Sequence, residues 1–230
     1  MTARPVLRVV TIGQSPRPDL LAEVRAAAPG VPVSLVGALD GLSRAEVAAL
    51  APSGDADALF TALPGGDGGE VSKAAVAERL RGLLRQGAGD AGATLLACTG
   101  HFAGLPESPR LVQPSRVLDA LAAALLPSGR LGLVVPLAGQ VAVLPAARSR
   151  PGLDVSAVVL RPGSDHAARA SAAAALARSA PDLALLDCAS YTRADRAAFA
   201  AALPCPVLLS VAVAARAAAN LLPDPAPCAS

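Results

Sequence analysis

The sequence predicts an α/β protein of two lobes, each built on a largely parallel sheet. Three observations carry that prediction. Short apolar runs alternate with helical stretches along the chain, the order that builds parallel sheets. The pattern restarts after Pro127-Ser128-Gly129, and Cys98 and Cys188 each stand directly after an apolar run of strand length.

The elements follow in order. Val6 to Thr11 reads as a buried first strand, Gly13-Gln14-Ser15-Pro16 as a polar loop, and Arg17 to Ala28 as a helix stopped by Pro29-Gly30. Val31 to Val36 is a second strand. Ser43-Arg44-Ala45-Glu46 has the form of a capping box, in which hydroxyl and carboxylate satisfy the free N–H groups of a helix start. Asp57 to Leu63 and Glu70 to Ser72 read as strands joined by Pro64-Gly65-Gly66-Asp67-Gly68-Gly69. That Gly-rich stretch lacks both G-K-[ST] and the G-x-G-x-x-G spacing, so a hairpin turn explains it better than a phosphate loop. A helix capped by Ser72 runs to about Gln86, and Ala93 to Ala97 is a strand ending at Cys98. Leu111 to Gln113 is a short strand, and Ser115 to Leu126 a helix.

In the second half Leu131 to Val135 is a strand, and Pro136-Leu137-Ala138-Gly139-Gln140 takes the place of the earlier polar loop. A helix follows to about Arg148, then a strand from Val155 to Leu160 and a helix from Asp165 to Ser179. Leu183 to Asp187 is a strand ending at Cys188, and Thr192-Arg193-Ala194-Asp195 starts another capped helix. Val207 to Leu209 and Val211 to Leu222 are the last strand and helix. The expected division is a first lobe of residues 1–127 joined by the C-terminal helix 211–222, a second lobe of residues 130–210, and a frayed tail at 223–230.

Composition narrows the function. The chain has 230 residues, 53% of them hydrophobic, with a net charge of +2 and only three Phe and one Tyr as aromatics. Without a basic block or stacking residues, nucleic acid is not an expected partner. Alanine is about a quarter of the chain and Arg outnumbers Lys nineteen to one, which codon bias explains better than an Arg-based binding role. No apolar run approaches the ~20 residues that span a bilayer, and the N-terminal run is strand-sized. No membrane association and a cytoplasmic location are expected. The four cysteines, Cys98, Cys188, Cys205 and Cys228, form neither a disulfide framework nor a C-x-x-C metal pattern, and no metal is expected.

Chemistry therefore rests on the paired strand ends. In open α/β sheets, sites form beyond the carboxyl ends of strands, so Cys98 and Cys188 are expected to face one cleft. Cys205, between two prolines, and Cys228, in the tail, read as ordinary small apolar residues.

Several blocks resemble the AroM family: Thr11-Ile12-Gly13-Gln14-Ser15-Pro16-Arg17 with Asp19, Gly37-Ala38-Leu39-Asp40-Gly41-Leu42, Cys98-Thr99-Gly100, Gln113-Pro114-Ser115, Val135-Pro136-Leu137 and Leu186-Asp187-Cys188. They occur in order over nearly the whole chain, and the first is the most specific. The family is similar to a branch of the aspartate/glutamate racemase superfamily. That resemblance implies two pseudo-symmetric Rossmann/flavodoxin-like lobes, Asp/Glu racemase-like, with a cysteine from each in the cleft.

The resemblance also implies cofactor-independent proton transfer of the racemase or epimerase type on a small carboxylate-bearing metabolite. Cys98 and Cys188 would be the catalytic acid/base pair. A thiolate near neutral pH requires a lowered pKa, and the helix start near Thr192 supplies a positive dipole end beside Cys188. Substrate binding is expected from Gly13, Gln14, Ser15, Arg17, Thr99, Gly100, Ser190, Tyr191 and Thr192, with Arg17 able to clamp a carboxylate. His101, three residues after Cys98, is a candidate assisting acid/base, and equally a helix-start or surface histidine. His166 follows Asp165 at a helix start, where capping accounts for the pair. Asp187, in a strand, would point away from the face of Cys188.

The sequence departs from the racemase pattern at three places. Gly13-Gln14-Ser15 stands where an Asp-Ser pair is common, Thr99 stands where Asn often follows the first cysteine, and no histidine lies close after Cys188. Other readings stay open: a one-cysteine decarboxylase or cis–trans isomerase, or a non-catalytic metabolite-binding or regulatory protein that keeps the cleft. Lobes of this kind often form homodimers.

Overall fold

The computed structural model describes residues 6–63, 68–86 and 92–223. In chain order the elements are β1 (Leu7–Thr11), α1 (Pro18–Ala27), β2 (Val33–Gly37), α2 (Arg44–Ala48), β3 (Ala58–Ala62) and β4 (Gly68–Ser72). Then come α3 (Lys73–Gln86), β5 (Ala93–Ala97), β6 (Leu111–Val112), α4 (Pro114–Leu125), β7 (Gly129–Val135) and α5 (Gln140–Arg148). The last are β8 (Leu153–Val159), α6 (His166–Ala177), β9 (Leu183–Leu186), α7 (Arg193–Ala202), β10 (Val207–Leu209) and α8 (Ser210–Ala219).

These strands form two parallel sheets, ordered β2-β1-β5-β6 and β10-β9-β7-β8, and a separate antiparallel pair, β3-β4. The central strands are apolar almost without alternation because helices cover both faces of a parallel sheet. Val9, Val10, Leu95, Leu96, Leu133 and Val134 are accordingly all buried. Register aligns the strand ends that matter. Thr11 pairs with both Gly37 and Ala97, and Leu186 pairs with both Val134 and Leu209. The chain therefore leaves β5 at Cys98 and β9 at Asp187, one residue before Cys188, in each case just beyond the carboxyl edge of a sheet.

Helix boundaries follow local chemistry. Both expected capping boxes form, Ser43 with Glu46 and Thr192 with Asp195. Ser72 Oγ accepts the Ala75 N–H at 3.2 Å and starts α3, and Asp165 accepts the Ala168 N–H at 2.8 Å and starts α6. The last helix, α8, packs against α1, α4 and β5, which belong to or cover the first sheet, and also touches β10 of the second. Its small apolar residues Ala214, Ala215 and Ala218 are fully buried there.

The expected hairpin is present as strands: β3 and β4 pair antiparallel from Ala58↔Ser72 to Ala62↔Gly68. Its turn residues 64–67, the tail from 224 and Cys228 lie outside the described residues. Among the described residues no helix is long and apolar enough to cross a membrane.

Candidate functional site

A cavity of about 370 Å³ opens where the two sheets present their strand ends. Cys98 and Cys188 both line it. Each sulfur sits at the start of a loop that turns back on it. The Gly100 N–H donates to Cys98 Sγ at 3.4 Å, and the Ser190 N–H donates to Cys188 Sγ at 3.5 Å. The two loops are tied together, since Thr99 Oγ1 donates to the Asp187 carbonyl at 3.1 Å. The Ser210 hydroxyl at the start of α8 donates to the Cys188 carbonyl at 2.9 Å and fixes the second loop from below.

Arg17 enters the same cavity from the start of α1 and is almost wholly buried. Its Nε and Nη2 donate to Asp19 Oδ1 and Oδ2 at 2.9 and 2.6 Å, and Nη2 also reaches Ser190 Oγ at 3.3 Å. A side chain rooted beside the first sheet thereby touches the loop of the second cysteine. Thr99, Gly100, His101 and Ser190 also line the cavity.

Five expected binding residues are engaged elsewhere and do not line it. Gln14 Nε2 donates to the Leu39 and Leu42 carbonyls at 3.0 and 2.7 Å. The Ser15 N–H and hydroxyl both donate to Asp40, at 2.6 and 2.8 Å. Gly13 is there for closeness, because a Cβ would lie 2.2 Å from Thr61 Oγ1. Tyr191 is fully buried and its hydroxyl donates to the Leu160 carbonyl at 2.6 Å. Thr192 is spent as the cap of α7. The polar character of these positions serves loop and core geometry.

The thiols also differ from the sequence expectation. Burial pushes the Cys98 thiol up to about 12 and the Cys188 thiol up to about 11, against an ordinary 9.0. The Gly100 and Ser190 N–H groups pull the other way without offsetting desolvation. A helix start near Thr192 therefore does not produce a low-pKa thiol.

Asp187 is a second correction. It lines the cavity with Cys188, because β9 ends at Leu186 and strand alternation no longer governs the next residue. Its Oδ2 lies 2.8 Å from Arg148 Nη1, and Arg148 Nε donates to Asp119 Oδ1 at 3.1 Å. His101 Nε2 meets Asp119 Oδ2 at 2.8 Å, so a chain of polar contacts runs from an exposed histidine to a buried carboxylate. Burial pushes the Asp187 carboxyl up, opposed by the Arg148 guanidinium. Sequence reasoning missed Arg148 and Asp119. One arginine among nineteen gives no signal, and its partners lie 29 and 39 positions away (148 − 119, 187 − 148).

Among the described residues no cluster of His, Cys, Asp and Glu could hold a metal ion, and Cys98, Cys188 and Cys205 are free thiols.

The model of the family described as AroM protein matches residues 7–222. The chain belongs to the AroM family. No curated protein matches it. Among solved structures, this AroM protein is similar to a glutamate racemase from Francisella tularensis in complex with D-glutamate, at 12% identity and a TM-score of 0.55, covering 96% of this chain and 84% of that one. It is similar to an unliganded arylmalonate decarboxylase at 15% identity and TM-score 0.57, covering 96% and 94%. Glutamate racemase isoform RacE1 from Bacillus anthracis matches at 14% identity and TM-score 0.60, covering 96% and 84%. At these identities the likeness establishes an Asp/Glu racemase-like α/β fold for the AroM chain.

Proposed function

We propose that this protein is an isomerase of the racemase or epimerase type, moving a proton on the carbon next to a carboxylate in a small acid. The two sheets act as two lobes divided near residue 128, and Cys98 and Cys188 are the acid/base pair, working without metal or organic cofactor. The observation that supports this most is the repeated geometry of the two thiols. They stand one and two residues beyond strand ends, line one cavity, and each accepts the N–H two residues on.

In that mechanism Arg17 holds the substrate carboxylate. One cysteine, as thiolate, removes the α-proton; the electron pair left on carbon spreads into the carboxylate, and the other cysteine's thiol delivers a proton to the opposite face. Ser190 Oγ accepts from Arg17 and keeps its own proton to donate to the developing enolate. A screen of amino, hydroxy and aromatic-precursor acids in D₂O, read by loss of the α-proton NMR signal, tests the reading without a guess at product. Exchange with at least one class is expected, and no exchange with any class contradicts it.

The burial of both thiols supports a second reading, a metabolite-binding or regulatory protein that keeps the cleft. Thiol titration separates the two. Rapid alkylation of Cys98 and Cys188 favours the enzyme, and protection of both favours the binder.

A further inference from the structure

Three buried side-chain atoms among the described residues lack both a hydrogen-bond and an ion-pair partner: Thr61 Oγ1, Gln140 Oε1 and Asp187 Oδ1. All three residues line the same cavity. An unpaired buried polar atom is costly, so three in one place mark where a polar ligand is completed.

Two of the three, Gln140 Oε1 and Asp187 Oδ1, are acceptors, and the third is a hydroxyl that can accept or donate. Asp187 Oδ1 is free because Oδ2 alone faces Arg148. Gln140 directs Nε2 to the Ala58 carbonyl at 3.4 Å, which leaves Oε1 without a donor. Thr61 Oγ1 neither accepts from nor donates to the protein. Asp119 and Asp187 share the one guanidinium of Arg148. The other cationic groups lining the cavity, Arg17 (held by Asp19) and Lys73, enter from the starts of α1 and α3 in the N-terminal half.

We infer that Asp187 is a specificity-determining residue that selects small acids carrying a hydrogen-bond donor on the reacting carbon, an ammonium above all, and rejects those carrying a second carboxylate there. The inference rests on the α-proton reading of this cavity and names its substrate class. A substrate carboxylate turns to Arg17 and Lys73, while its donor group meets Asp187 Oδ1, with Gln140 Oε1 and Thr61 Oγ1 lining the same space. A malonate would bring a second negative charge beside a carboxylate that burial already disfavours.

The test is calorimetric binding to the full chain of alanine, aspartate and phenylalanine in both configurations, of the matched 2-hydroxy acids, and of methylmalonate and phenylmalonate. At least one amino acid should bind about 100-fold or more tighter than its malonate counterpart, with the hydroxy acid between them. Asp187→Asn should weaken the amino acid about tenfold or more and leave malonate binding unchanged or improved. Malonates binding as tightly as amino acids to the unaltered protein, no binding by any probe, or an unchanged ratio in Asp187→Asn would each overturn the assignment. The comparison on the unaltered protein stands even if that variant fails to fold. Solvent exchange of α-protons in parallel separates the two claims. Selective binding without exchange defeats the proton chemistry alone, and exchange in the same compounds without binding selectivity defeats the role of Asp187 alone.

Discussion

Cys98 and Cys188 are poised as thiols, since desolvation dominates at both. This has a kinetic consequence. With folded pKa values of about 12 and about 11, the thiolate fraction at neutral pH is small and grows roughly tenfold for each pH unit. The rate of α-proton exchange in the unbuffered step should therefore climb about tenfold per unit between pH 7 and 9, followed by deuterium uptake. A plateau across that range would mean that a bound substrate, or another base, activates the thiols differently. The positions of the two cysteines were legible in the sequence because a residue after a parallel strand has a defined place. Their electrostatics were not, because desolvation depends on every side chain that later packs around the sulfur. The Arg148–Asp187–Asp119 cluster was hidden for a related reason: its members come from α5, α4 and the end of β9, and no periodicity links them.

At the scale of elements, the polar loop after β1 is a structural joint, and its fit depends on Gly37. A Cβ there would lie 2.5 Å from the Gly13 carbonyl oxygen and 2.9 Å from Gln14 Cα, both backbone atoms that cannot swing aside. Gly37→Ala should cost about 1–3 kcal/mol in urea unfolding, and a neutral substitution would show that the loop moves freely. The helix starts make a matched case. Thr192→Ala removes the hydroxyl that accepts the Asp195 N–H at 3.3 Å, and should lower stability by ~1 kcal/mol in the same assay. Both capping boxes could be read from four-residue patterns because the bonds are local. The tight fit at Gly37 could not, because its partners arrive from a different loop. Gln14 and Ser15 look like ligands in a motif and prove to be loop fasteners for the same reason.

For the whole molecule, the β3–β4 pair is one of the bridges between the two halves. Arg161, beyond β8, donates Nη2 to the Gly68 carbonyl at 2.6 Å and stands 5.4 Å from the centre of the Phe60 ring. Gln140 at the start of α5 reaches Ala58 of the same hairpin. Ala58, Leu59, Phe60 and Thr61 line the cavity, so these contacts hold one wall of the site in place. One hydrogen bond and one cation–π contact amount to roughly 1–2 kcal/mol, enough to raise the open population about tenfold when lost. Arg161→Ala should accordingly speed alkylation of Cys98 by iodoacetamide about tenfold with little change in global unfolding. An unchanged rate would mean that the hairpin does not control access to the cleft.

The central claim is that two thiols work from opposite faces of one carbon, and isotope exchange in two variants tests it most directly. Once the D₂O screen has supplied a substrate, Cys98→Ser and Cys188→Ser are each given the two enantiomers separately. A serine hydroxyl supplies little anionic base at neutral pH, so each variant should lose interconversion by about 10²-fold or more. Each should still exchange the α-proton of one enantiomer, and the enantiomer retained should be opposite in the two variants. Full activity in Cys98→Ser with complete loss in Cys188→Ser would contradict the two-thiol account and leave a one-cysteine decarboxylase or isomerase in its place.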